Sequence, residues 1–374
     1  MKVLQIGKFY PLQGGIEKVM YDLWKGLTQR GVECDMLCAA NQKKHGLELV
    51  TDYGNLICTK TWFKLAATMI SPEMIIALKR SCRQYDIIHI HHPDPMACVA
   101  LACSRYKGKV VLHWHSDILK QKTLLSFYNP LLQWLVRRAD IIVGTTPIYV
   151  EHSSFLTHSQ HKVSYLPIGI KRIVPIQEQV EQIKKRYPGK RIIYSLGRLV
   201  EYKGYEYLIE AAHYLDDNCV VLIGGDGPLK RTLQQKIVKE GLAEKVKLLG
   251  FISNDEFASY FGACDLFCLS SIWKTEAFAI VQVEAMSCGK PIVATKIEGS
   301  GVAWVNKDGF SGINVEPCDA KQLASVIRLI LSDRQQYTAF AENARKRYES
   351  LFTQERMIDN CLAIYRRILE NNTI

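Results

Sequence analysis

Residues 191–204 read RIIYSLGRLVEYKG, and residues 219–228 read CVVLIGGDGP. Each is a short, nearly continuous apolar run that ends in glycine and is followed by a helical pattern. Runs of this length suit parallel strands buried on both faces. Glycine between strand and helix supplies the turn. The two segments read as successive strand–loop–helix units of a doubly wound α/β sheet.

The rhythm continues outward. Val246–Leu249, Leu266–Leu269 and Pro291–Ala294 predict further strands, with helices near 205–215, 228–240, 253–263, 278–287 and 319–331. Toward the start, Val3–Ile6, Asp35–Ala39, Ile87–Ile90, Val110–Leu112 and Ile141–Val143 predict a second series. Helices are expected near 16–30, 73–84, 94–106, 124–138 and 147–156. Between the series, residues 171–190 are polar and charged and close on Tyr187-Pro188-Gly189, which predicts a linker. The domains expected are 1–170 and 191–353, two Rossmann-like halves with a cleft between them. Residues 334–371 are almost wholly helical in pattern.

The 374 residues are 48% hydrophobic and 23% charged, enough to bury two cores and too apolar for disorder. No apolar run is long enough to span a membrane. The opening MKVLQIGKFY reads as a first strand rather than a signal peptide. Twelve cysteines show no C-x-x-C pair, and Cys98, Cys219 and Cys268 lie in apolar runs, so reduced core thiols in a cytoplasmic protein are expected. The charge of +11 is uneven: residues 1–170 hold 20 basic and 12 acidic side chains. That balance favours an anionic partner of the first domain. No helix-turn-helix, RNP or zinc pattern accompanies it, so nucleic acid is not that partner.

Four strand-end loops carry candidate chemistry. Gly14-Gly15 precedes a helix, where backbone N–H groups and the helix dipole suit an anion. Arg198 and Lys203, five apart in one loop, suit a diphosphate: Arg as a two-pronged donor, Lys as a point charge. Gly225 and Gly227 let the backbone pack close to a ring or phosphate. Glu276 and Glu284 bracket a predicted helix start. Two carboxylates suit a polyol, and the N–H groups of Ala277 and Phe278 suit an anion. A structural reading stands beside each: a tight turn, a solvated basic loop, a glycine turn, and an acidic helix start favoured by the dipole.

Together the four loops resemble the retaining glycosyltransferases of family four, which have the GT-B fold of two Rossmann-like domains facing across a cleft. The resemblance spans essentially the whole chain. Gly14, Gly15 and Glu17 match G-G-x-E. Gly197, Arg198, Lys203 and Gly204 match G-R-x4-K-G. Gly225, Gly227 and Pro228 match G-x-G-P, and Glu276 and Glu284 match E-x7-E. Arg198 and Lys203 are then implied to hold the donor diphosphate, Glu276 to touch the transferred sugar and Glu284 to bind the ribose. Phe251 and Ile252 would border the base. The family places a histidine at the sugar after a strand of the first domain; His113 and His115 are both available, and His115, in His-Ser-Asp, matches better. The terminal helix from Gln354 on is implied to return to the first domain. The chain departs from the family's frequent E-G-F-G by carrying Ala277 and Ala279.

The resemblance implies retention of anomeric configuration with no metal and no cofactor, and no D-x-D motif is present. In its overall look the chain is similar to bacterial mannosyl- and rhamnosyltransferases of O-antigen and polysaccharide assembly. That implies GDP-mannose as donor, with a UDP-sugar the alternative, and a saccharide or polyprenyl-diphosphate-linked acceptor. Segments 60–80 and 120–138, which mix cations with large apolar groups, suit peripheral contact with the anionic inner face of a membrane. Packing of these segments on their own sheet is the other reading. A non-catalytic nucleotide-sugar-binding protein would keep Arg198 and Lys203 without needing His115.

Overall fold

The computed structural model describes residues 1–10, 14–40, 46–66, 68–118 and 122–370. The chain divides into two units, Met1–Gly169 with Gln354–Ile374, and Ile170–Thr353.

The first unit is built on β1 (Lys2–Tyr10), β2 (Glu33–Ala40), β3 (Leu47–Thr51), β4 (Gly54–Thr59), the β5 (Phe63–Leu65) and β6 (Thr68–Ile70) hairpin, β7 (Ile87–His92), β8 (Lys109–Trp114), β9 (Ile141–Gly144) and β10 (Val163–Tyr165). The main sheet runs β10-β9-β8-β7-β1-β2-β4-β3, parallel except for β3. Val3, Leu4, Ile6, Ile87, Ile88 and Ile90 are fully buried, as both-face coverage by helices requires. Strand order reverses between β1 and β7, the topological switch point beside which such sheets bind ligands. The four short strands between residues 47 and 70 were not foreseen; none carries an apolar run long enough to stand out.

The second unit holds β11 (Arg191–Leu196), β12 (Cys219–Gly224), β13 (Val246–Gly250), β14 (Leu266–Leu269), β15 (Ile292–Thr295) and β16 (Gly312–Val315). Their order is β13-β12-β11-β14-β15-β16, all parallel, with the switch point between β11 and β14. Both units are thus doubly wound α/β sheets.

The linker expected over 171–190 is corrected. Gln177–Arg186 is a helix, and its two apolar residues, Val180 and Ile183, lie one turn apart and are buried. They pack toward helix Asn254–Ala263, where a side chain at Gly262 would meet Pro175 and Val180. Two apolar residues in a charged helix make a stripe too narrow to read as a helix face.

The helix Gln354–Glu370 belongs to the first unit. It lies against helix Gly15–Thr28 so closely that a Cβ at Gly26 would sit 2.0 Å from Ile358 Cδ1. Arg30 pairs with Asp359 alongside, and Tyr365 is fully buried. No helix among the described residues is long and apolar enough to cross a membrane. All twelve cysteines are free, and most are buried.

Candidate active site

In the second unit the loops after β11 and β14 flank the switch point. The first loop, Gly197–Gly204, is braced by the loop after β12: Gly197 N–H donates to Gly224 O at 3.1 Å and Leu199 N–H to Asp226 O at 2.9 Å. The glycines make this possible. Gly225 has φ +124° and its Cβ would lie 2.0 Å from Gly197 O; a Cβ at Gly227 would lie 2.5 Å from Leu199 O. Gly225 and Gly227 therefore face the neighbouring loop, and what their small size permits is the placement of Arg198. Arg198 itself is exposed and has no ion-pair partner among the described residues.

Lys203 and Glu276 come together. Lys203 Nζ lies 2.5 Å from Glu276 Oε2, and both side chains are nearly buried. Ser271 Oγ donates to the same carboxylate oxygen at 2.9 Å. Burial pulls the Lys203 ammonium down, but the Glu276 carboxylate, with Tyr205 and Tyr202, outweighs it and holds the ammonium above the usual lysine range. The pair ties the loop after β11 to the loop after β14. Gly204, at φ +60°, completes the junction; a Cβ there would lie 2.2 Å from Ser270 O.

Glu276 precedes the helix rather than capping it. The helix runs Ile280–Ser287, two residues later than the pattern predicts, because Ala279 takes φ +62°. That left-handed value is where a glycine would be unstrained. Ala277 does not adopt it. Ala277 and Phe278 are buried, and their N–H groups make no hydrogen bond among the described residues. Glu284 is half-buried, about one turn inside the helix. Phe251 is 79% exposed at the end of β13, while Ile252 beside it is buried.

In the first unit Gly15 opens helix Gly15–Thr28, whose N-cap Gly14 supplies no side-chain cap. Beside it, the strand ends of β7 and β8 carry five buried histidines: His89, His91, His92, His113 and His115. His115 Nε2 lies 2.9 Å from His91 Nδ1, and His113 stacks on His115 with ring centres 4.0 Å apart. Asp117 braces the following loop by accepting from Trp114 Nε1 and Ser153 Oγ at 2.8 and 2.7 Å. His113 lies within β8, and both its nitrogens lack a partner among the described residues. His89, His91 and His113 bring ligand-type nitrogens within 4.8 Å of one another. Imidazoles round an ion splay outward from it, with metal–nitrogen distances of about 2.1 Å. Here His89 and His91 lie face to face, 3° apart, and His91 commits both nitrogens to hydrogen bonds. The cluster is built as a hydrogen-bonded stack.

Sequence reasoning missed the partners of these groups. Ser271 and the fully buried Gln5 and Tyr365 are ordinary core positions in the sequence. The alternation of His89 with His91 and of His113 with His115 is the signal that could have marked one sheet face.

Residues 13–171 match the model described as Glycosyltransferase Family 4, and residues 176–347 match Glycosyl transferases group 1. The chain is a glycosyltransferase, with a family-four domain followed by a group-1 domain. It is 29% identical over 377 residues to the Escherichia coli O-antigen chain mannosyltransferase C, covering 100% of both chains. It is 26% identical over 360 residues to the D-rhamnosyltransferase WbpZ of Pseudomonas aeruginosa, covering 94% of this chain and 92% of the other. Among solved structures, Anabaena Alr3699/HepE in complex with UDP superimposes with a TM-score of 0.78 at 20% identity, over 98% of this chain and 100% of that one. Fold and family agree with the GT-B glycosyltransferase read from the motifs.

This glycosyltransferase should be sensitive to the buried ion pair in a particular way. Lys203→Ala strands the Glu276 carboxylate and is expected to cost about 3–5 kcal/mol in urea unfolding. The double replacement Lys203→Met with Glu276→Leu is expected to recover most of that stability while remaining inactive.

The histidines make stability depend on pH. Burial holds His92 and His113 at about 3, and with neighbouring charges holds His89, His91 and His115 well below the ordinary 6.5. Depressed folded-state values mean the unfolded chain takes up protons first. Stability is therefore full above pH 6.5 and is lost below it, by up to about 1.4 kcal/mol per pH unit for each histidine. Asp94 opposes this: burial raises its carboxyl from 3.8 to about 6, so it adds stability as pH falls between those values. Five groups outweigh one. The urea midpoint is expected to drop steeply from pH 7 to pH 5, and His113→Phe is expected to flatten the drop.

Proposed function

We propose that this glycosyltransferase moves mannose from GDP-mannose, with retention of configuration, onto a lipid-linked or saccharide acceptor in O-antigen or related polysaccharide assembly at the cytoplasmic membrane face. The observation that carries the donor and pathway is the end-to-end similarity to an O-antigen chain mannosyltransferase.

The geometry supports a division of labour. Arg198 is the exposed cation and grips the diphosphate. Lys203 holds Glu276 with one of its three N–H donors and turns the others to the phosphate oxygens. Glu276, fixed by Lys203 and Ser271, reads the transferred sugar, and its charge favours the positive character that develops there. The unsatisfied N–H groups of Ala277 and Phe278 receive the anion. Glu284 binds the ribose, Phe251 and Ile252 border the base, Gly15 lets the first unit's backbone approach the donor, and His115 contacts the sugar. Cations and N–H groups neutralise the leaving diphosphate, and neither a metal nor another cofactor is required in this reading.

The test pairs a donor panel with two variants. GDP-mannose is expected to turn over in preference to UDP-GlcNAc, UDP-Gal and dTDP-rhamnose, with an axial product linkage assigned by NMR; preference for a UDP-sugar, or inversion, overturns the corresponding part. Arg198→Ala should raise donor KM about ten- to a hundredfold, the loss of a charge-assisted contact. Glu276→Gln should lower kcat more than it raises KM. Binding of donor without turnover by the unmodified protein would leave a nucleotide-sugar-binding protein instead.

The acceptor side of the proposal rests on the first unit. Leu65, Thr68 and Ile70 of the β5–β6 hairpin and Leu124, Leu125 and Tyr128 of helix Lys122–Arg138 line one apolar pocket. In the same two segments of the chain Trp62, Phe63, Lys64 and Phe127 are exposed. Lys120 and Gln121 lie outside the described residues. Such a patch suits the interface of an anionic membrane. The protein is expected to sediment with anionic but not neutral vesicles and to be released by salt. Phe127→Ser should weaken the sedimentation without changing turnover of a soluble acceptor.

A further inference from the structure

Five side chains of the first unit are joined end to end. His115 Nε2 lies 2.9 Å from His91 Nδ1, and His91 Nε2 lies 2.7 Å from Gln5 Oε1. The Gln5 amide nitrogen donates to the Tyr365 hydroxyl at 2.8 Å, and that hydroxyl lies 2.5 Å from His89 Nδ1. The chain runs from β8 through β7 and β1 to the helix Gln354–Glu370 and back to β7. Its inner members are fully buried, so bulk water offers them no alternative partner.

One group fixes the direction of all the others. A carboxamide cannot exchange its donor and acceptor ends by moving a proton. The Gln5 carbonyl only accepts, so His91 must present Nε2–H. Neutral His91 is then bare at Nδ1 and accepts from Nε2–H of His115. Neutral His115 is left bare at Nδ1. On the other side the amide N–H donates to the Tyr365 oxygen, and the single hydroxyl proton goes to His89. The premise that the imidazoles are neutral follows from their burial, reinforced by their neighbours.

His115 is the outward end. It follows the carboxyl end of β8 and is 5% exposed, whereas His89 and His91 are 0% exposed. Its Nδ1 is itself buried and has no partner among the described residues, an acceptor left unsatisfied until a donor reaches it. The ring nitrogen that the chain leaves bare is thus the one left over for a ligand.

We propose that Gln5 and Tyr365 are positioning residues that lock His115 in the Nε2–H tautomer, so that its Nδ1 accepts a hydrogen bond from a hydroxyl of the transferred sugar. This rests on the reading of His115 as the sugar-contacting histidine. A hydroxyl that donates is recognised; an O-methyl group in its place is not. Turning the Gln5 amide over would reverse every bond in the chain and put the proton on Nδ1, so the state of His115 reports the orientation of Gln5.

Nitrogen-15 NMR of the full chain labelled at histidine distinguishes protonated from bare ring nitrogens, with His115 assigned by its absence in His115→Ala. The wild-type protein is expected to show His115 bare at Nδ1. Tyr365→Phe removes the oxygen acceptor for the amide N–H, leaving it only the weaker Cys34 sulfur, and frees Gln5 to turn, so both tautomers of His115 should appear. Gln5→Glu keeps an acceptor for His91 and should keep the wild-type tautomer. In turnover, Tyr365→Phe should lower kcat about two- to tenfold, in proportion to the fraction of competent tautomer, with donor KM little changed. That loss should vanish in the His115→Ala background. Melting temperatures establish that each variant is folded. A protonated Nδ1 in the wild type, or a His115 tautomer indifferent to Tyr365→Phe, overturns the relay whatever the activity. Mixed tautomers with unaltered turnover overturn the sugar-contacting role of His115. An equal loss in the His115→Ala background overturns the positioning role and leaves Tyr365 a packing residue.

Discussion

The buried contact between Lys203 and Glu276 is the constraint on which the second unit's site depends. Two charges out of water hold one geometry because neither can leave without stranding the other. One end belongs to the loop after β11 and the other to the loop after β14. The contact therefore spans the point where strand order reverses, the place at which an open parallel sheet has room for a ligand. Gly204 serves the same junction and Gly225 the neighbouring one, between the loops after β11 and β12, since any side chain at either would strike a carbonyl of the facing loop. Arg198 can be exposed and still well placed because everything beneath it is fixed.

The first unit solves a similar problem without charge. Its strand ends carry imidazoles kept neutral, stacked and hydrogen-bonded, and the helix that completes their network comes from the far side of the other unit in the chain. Gln5 and Tyr365 are 360 positions apart in sequence and 2.8 Å apart in space. The helix that brings Tyr365 in is seated by the absence of a side chain at Gly26, so close packing at Ile358 helps to place a polar network two turns further along the same buried face of that helix.

The parts of this structure that were legible in the sequence are those set by local rules. Ile192–Leu196 and Val220–Ile223 announce buried parallel strands by continuous apolar character, and Gly197 and Gly224–Gly225 announce their turns. The loops that carry Arg198, Lys203 and Glu276 follow from those strands. What was not legible depends on distance or on a single dihedral angle. The pairing of Lys203 with Glu276 joins residues 73 positions apart that spacing alone assigns to different parts of a ligand. The late start of the helix at Ile280 comes from one alanine at positive φ. Helix Gln177–Arg186 hides because two apolar residues suffice to dock it. Gln5 and Tyr365 look like core residues because they are core residues; their polarity acquires meaning only once the helix Gln354–Glu370 is in place.

The return of that helix to the first unit has a consequence for how the protein is made. Synthesis is vectorial, and domains generally close in the order in which they emerge from the ribosome. Here residues 1–169 emerge first but cannot seat Ile358 beside Gly26, or Tyr365 between Gln5 and His89, until residues 354–370 have also left the exit tunnel. By then the whole of the second unit is available to fold. The half of the molecule translated first is thus the half finished last, and its histidine face stays open for nearly the entire time the chain is being built.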